Sequence, residues 1–142
     1  MKQSFLYYVM LLSALLFLTG CETEIEVIDF TIVNNTDQKL VSCSRYREPA
    51  DTVLPESSLW PNGIGKEDVI TQPHSKHERR FVLSWIKNAI NRGECFSVYY
   101  FDVDTIISVP WEKIRAEHNV VKRVDFRTME ELYSYHNVIT IP

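Results

Sequence analysis

Glu94-Cys95-Phe96-Ser97-Val98-Tyr99-Tyr100-Phe101-Asp102-Val103-Asp104-Thr105-Ile106-Ile107 is the most strand-like run in the chain. β-Branched and aromatic side chains suit a pleated, packed surface. At period two, Tyr99, Phe101 and Val103 share one face. Tyr100, Asp102 and Asp104 share the other, and Asp102 and Asp104 read as an exposed polar strand face. The spacing predicts one strand over 94–107.

The neighbours of this run extend a β-rich pattern. Upstream, 77–83 reads as a strand. Ser84 is placed to cap a short helix over 85–92, with Ile86, Ala89 and Ile90 on one stripe and Gly93 as its C′ residue. Downstream, Pro110 opens a helix carrying Trp111 and Ile114, and 120–126 is a further strand. Thr128 and Glu131 stand at the reciprocal positions of a capping box, and 138–141 closes the chain as a strand. Near the start, Ile28, Phe30 and Ile32 alternate with Asp29 and Thr31, giving a strand over 24–34. The turn cluster Asn34-Asn35-Thr36-Asp37 and a return strand over 40–46 complete an N-terminal hairpin. Residues 48–75 are irregular, with Pro49, Pro55, Pro61, Pro73, Gly63 and Gly65, and are the natural place for a binding loop. The expected fold is α+β and β-rich: an antiparallel sheet or small β-sandwich of about six strands with about three short helices.

Composition limits the function classes. The chain has 142 residues, 15 Lys+Arg against 19 Asp+Glu, and a formal net charge of −4. That length suits one domain. The acidic balance argues against a nucleic-acid partner, which would call for a basic patch.

The N-terminus reads as an address. Lys2 precedes an uncharged run over 5–18, too short for a comfortable membrane span and right for a signal-peptide core. The run ends in Leu18-Thr19-Gly20-Cys21, which resembles the bacterial lipobox. That resemblance implies a signal peptide over 1–20, cleavage before Cys21, and acyl chains on the Cys21 sulfur and amino group. Each buried methylene contributes about 0.8 kcal/mol, so several chains give a lasting anchor. Residues 21–26 form an acidic tether with Glu22, Glu24 and Glu26. In Bacteroidetes lipoproteins such a stretch resembles a surface-export signal; a plain solvated tether or the start of the first strand reads equally well. Residues 27–142 form the globular domain.

The mature chain resembles a group of small Bacteroidales (Bacteroides-type) lipoproteins. The carrying residues are Asn34-Asn35-Thr36-Asp37, Pro49-Ala50-Asp51-Thr52, Ser84-Trp85 and Tyr100-Phe101-Asp102-Val103-Asp104-Thr105. Trp111-Glu112-Lys113-Ile114-Arg115, Val121-Lys122-Arg123, Met129-Glu130-Glu131-Leu132 and Ile139-Thr140-Ile141-Pro142 continue it. Pro110, Cys43 and Cys95 depart from the pattern. The resemblance implies a cell-envelope location, outer-membrane anchored on its periplasmic or surface face, and no particular activity.

Several residues carry candidate chemistry. Cys43 and Cys95 remain once Cys21 is lipidated, and an exported chain meets an oxidising compartment. They form either a disulfide or two buried thiols. Asp51-Thr52-Val53 and Asp104-Thr105-Ile106 resemble the O-glycosylation motif of Bacteroidetes exported proteins, with Thr52 and Thr105 as acceptors. Trp85 and Trp111, at helix starts, belong to the core, while Trp60 in the irregular stretch is the candidate ligand contact. His74 and His77 stand at i, i+3, but Pro73 and the strand after it keep them from sharing a metal. Gly63-Ile64-Gly65-Lys66 lacks the rest of a phosphate loop, and no Gly-x-Ser-x-Gly occurs. No cofactor, metal site or catalytic residue is expected. The expected role is a non-catalytic envelope binding module, held to the membrane by its lipid and meeting an envelope protein or glycan. A small hydrolase-type enzyme, or a structural or inhibitor subunit acting by strand addition, are the alternatives.

Overall fold

The computed structural model describes residues 25–47, 54, 58–60, 64–65 and 69–142. The signal segment, Cys21 and Thr52 lie outside the described residues. Among the described residues, seven strands form two sheets. They are β1 (Val27–Asn34), β2 (Leu40–Arg47), β3 (Ile70–Thr71), β4 (Ser75–Val82), β5 (Cys95–Asp102), β6 (Lys122–Phe126) and β7 (Val138–Ile141). Four helices complete the described chain: α1 (Leu83–Asn91), α2 (Val103–Ser108), α3 (Trp111–Glu117) and α4 (Met129–Ser134). The fold is a small, β-rich α+β architecture. Among the described residues, no helix is long and apolar enough to cross a membrane.

The first sheet has strand order β4-β1-β7 and the second β3-β2-β5-β6. All pairings are antiparallel except β1 with β7. The expected N-terminal hairpin does not form: β1 and β2 are consecutive but lie in different sheets. Asn34 explains the crossover. It is fully buried, its amide donates to Gln38 O at 2.8 Å and Gln72 O at 3.0 Å, and its Oδ1 accepts from the Thr36 amide and hydroxyl. These bonds turn the chain out of the first sheet and satisfy polar groups that burial would otherwise leave costly.

Two apolar layers result. Ile28, Phe30, Ile32 and Phe81 of the first sheet face Leu40, Phe96, Val98, Tyr100, Val124 and Phe126 of the second. Ile86 of α1 and Leu132 of α4 join this layer. On the far side of the second sheet, Val41, Tyr99 and Phe101 meet Leu54, Trp60, Val103, Trp111 and Ile114. β5 is therefore covered on both faces, which is why its sequence is apolar almost without interruption.

The expected strand over 94–107 stops at Asp102. Asp102 Oδ2 accepts from the Thr105 amide at 2.9 Å and caps α2. An Asx side chain at that position turns the backbone into a helix despite the β-branched residues that follow. α1 begins earlier than expected, with Val82 at the N-cap position and no side-chain cap from Ser84. Its end is as read from the sequence. Gly93 has φ +80°, Gly93 N donates to Ile90 O and Glu94 N to Ala89 O, the two bonds of a Schellman ending. Thr128 Oγ1 likewise accepts from the Glu131 amide at 3.1 Å, while the Glu131 carboxylate accepts from the Arg127 amide.

Candidate functional site: an apolar groove on the outer face of the second sheet

Helices α2 and α3 follow one another closely, since Val103 directly follows β5 and Pro110 starts α3 two residues after α2 ends. Val103 N donates to Lys39 O at 2.9 Å, fixing the first helix against the sheet end. Between these helices and the segment around residue 60 lies a groove of about 210 Å³. It is lined by Ser58, Trp60 and Ile64 on one side and by Ile106, Ile107, Val109, Trp111 and Ile114 on the other.

An aromatic row packs against the two lining tryptophans. Phe101 stands between Trp60 (centroids 5.5 Å, 87°) and Trp111 (6.0 Å, 58°), with Tyr99 stacked behind it. Ser58 Oγ accepts from the Trp60 amide at 3.1 Å, and Arg115 Nε donates to Leu54 O at 3.0 Å, tying α3 to the irregular stretch. Ile107 is 71 % exposed at the rim. Among the described lining side chains, Ser58 and the two indoles carry polar atoms and the other five are aliphatic, so the groove suits a mainly apolar group.

Trp60, read as a ligand contact, is buried in the second apolar layer, but one edge of it lines the groove. Trp111 is buried as expected. Trp85 is not in the core: it is 63 % exposed, because Ile86 and Ala89 form the buried face of α1 and Trp85 points away from it. Thr105 sits in the first turn of α2 with its hydroxyl donating to Asp102 at 2.8 Å, a helix-capping arrangement. Asp104 is exposed in the same turn rather than on a strand.

Cys43 and Cys95 are not joined. Cys43 lies opposite Tyr99 and Cys95 opposite Arg47, four positions apart along β5. At about 3.3 Å per residue this is about 13 Å, whereas a disulfide needs Cα atoms within about 7 Å. The four histidines stand apart on different elements. His74, with φ 49°, pairs with Asp37 at 2.7 Å, His77 is exposed on β4, and His118 and His136 sit in left-handed positions after α3 and α4. Among the described residues there is no cluster suited to a metal ion.

The sequence reading missed one polar row. Ser97 is fully buried and donates to Asp125 Oδ1 at 2.6 Å across the β5–β6 pair. Arg123 Nε donates to the same oxygen at 2.8 Å, its Nη2 lies 2.6 Å from Oδ2, and its guanidinium lies 5.7 Å from the Tyr99 ring centroid. Cys95 Sγ lies 3.6 Å from Ser97 Oγ. The Arg123-x-Asp125 spacing places both on one strand face, which is the only signal the sequence carried. Between the sheets, Arg79 donates to Ser42 and covers the Phe81 ring. Burial pushes the Tyr100 phenol well above the ordinary tyrosine range, so it stays protonated there.

No family model, curated protein or solved structure matches this chain.

Proposed function

We propose that this chain is a lipid-anchored envelope lipoprotein of the Bacteroidales type, and that its domain is a non-catalytic binding module. The anchor is Cys21, on the strength of the Leu18-Thr19-Gly20-Cys21 sequence. The observation that carries the binding role is the groove walled by Trp60, Trp111, Ile106 and Ile107. Its apolar walls favour an apolar segment of another envelope protein over a glycan, because a sugar needs polar partners beside an open aromatic face and both indoles are nearly covered.

The test is capture from the native envelope with the lipidated protein and its Ile107→Glu variant. Ile107 is exposed, so the charge leaves stability within about 0.5 kcal/mol. A partner retained by the wild type and lost by the variant supports the groove; one retained equally by both refutes it. Protease shaving of intact cells then assigns the membrane face.

The strand-addition reading has one observation behind it. β4 is an eight-residue strand at the edge of its sheet. Lys76, Glu78, Arg79 and Arg80 stand along it, and such charges disfavour edge pairing. The groove is the stronger reading.

A further inference from the structure

The two ends of the domain differ in chemistry. β1 runs from Val27 to Asn34, about 23 Å at strand rise. The Asn34 end carries the crossover to Lys39, whose carbonyl holds the start of α2 beside the groove. At the other end Val27 pairs with Val82, the residue before α1. Leu83 N donates to Glu26 O at 2.8 Å, and Lys87 Nζ donates to Glu26 Oε2 at 2.6 Å. The start of the domain is thus fastened to the first turns of α1.

At this fastened end apolar and aromatic side chains face solvent. Ile25 is 70 % exposed, Val27 42 % and Trp85 63 %. The Glu26 hydrogen bond holds the Lys87 ammonium above the usual lysine range. Tryptophan settles at a membrane–water interface, where one end of the side chain is apolar and the other wet. Trp85 lacks a structural reason to be a tryptophan, since the core of α1 is supplied by Ile86 and Ala89.

The anchor decides what meets this patch. Cys21 precedes Ile25 by four residues, a span of at most about 14 Å of extended chain. Whatever Cys21 is attached to lies within that reach of Ile25.

We infer that Trp85, Ile25 and Val27 form a lipid-facing patch that rests on the bilayer surface and holds the groove end of the domain away from the membrane. This rests on the lipoprotein reading, and the partner is the interfacial zone of phospholipid. The patch adds orientation to an attachment the acyl chains already supply.

The full chain, processed in its own membrane and purified in detergent, is reconstituted into phosphatidylcholine/phosphatidylethanolamine vesicles with or without bromine-labelled acyl chains. Intact mass and vesicle flotation report the lipid anchor. Tryptophan emission reports the patch, because Trp60 and Trp111 are buried and Trp85 is the exposed one of the three. Brominated vesicles are expected to quench the wild type, and the quenching is expected to vanish in Trp85→Phe, which floats equally well. Lipidated protein that floats but shows equal quenching in both forms overturns the patch and leaves the lipoprotein reading standing. Protein without lipid overturns both. A dimer lost in Trp85→Phe, with no lipid quenching, gives the patch to a second copy of the chain and overturns the inference.

Discussion

Trp60 meets Phe101 edge to face, with ring centroids 5.5 Å apart and planes at 87°. The contact joins an irregular segment to the central strand and makes one wall of the groove. Trp60→Ala removes a buried indole and is expected to cost about 3–5 kcal/mol. Trp60→Phe keeps a ring against Phe101 and is expected to cost less. Urea unfolding of both variants measures the difference; equal stability of wild type and Trp60→Ala would show that the segment is not held by this ring.

Ser97 and Asp125 predict a second cost. Their hydrogen bond is buried on the hydroxyl side, and Ser97→Ala is expected to destabilise by about 1–3 kcal/mol. A double-mutant cycle with Asp125→Ala is expected to show coupling, since each change removes one partner of the same bond. Additive effects would place the cost of Ser97→Ala elsewhere.

A Cβ added at Gly93 would meet open space, so the importance of this glycine lies in its backbone alone. At φ +80° an L side chain is strained, and Gly93→Ala is expected to cost roughly 1–2 kcal/mol. Gly93→Asn is expected to cost less, because asparagine tolerates the left-handed region. Thermal unfolding of the pair tests the order.

Acid should weaken the domain in a defined direction. The Arg80 hydrogen bond holds Asp29 below the usual carboxylate range, and the Arg92 hydrogen bond does the same for Glu94. Folded-state values lie below the unfolded ones, so the stabilisation is fully present above about pH 4–5 and is lost as pH falls through the lowered values. Both pairs are exposed, which keeps the effect small and salt-sensitive. Tm measured from pH 6 downward is expected to fall less steeply in Asp29→Asn/Glu94→Gln than in the wild type.

The cysteines make the last prediction. With Cys43 opposite Tyr99 and Cys95 opposite Arg47, no crosslink between them fits the sheet register. Non-reducing peptide mapping is expected to recover Cys43 and Cys95 in separate peptides. A joined peptide would require β2 and β5 to pair in a different register.

Local features were legible from the residues alone. Thr128 and Glu131 cap a helix, Gly93 ends one, and Ile28, Phe30 and Ile32 mark the buried face of β1, all from patterns a few residues long. Asp102, three residues before Thr105, carried the signal of a cap, but the β-branched residues after it pointed to a longer strand. Long-range choices were not legible. Period two says which face of β1 and β2 is apolar, but not that they belong to different sheets; the buried Asn34 amide decides that by bonding to Gln38 and Gln72. Likewise Trp60 and Trp85 look alike as aromatics beside polar residues. One is packed on Phe101 and the other faces solvent, because what covers β5 and which side of α1 meets the core are settled only when distant segments pack together. The sequence determined the local turns, caps and faces, since neighbouring side chains and the backbone enforce them. The tertiary structure decided sheet membership, the groove and the separation of the thiols, since those depend on contacts between residues far apart in the chain.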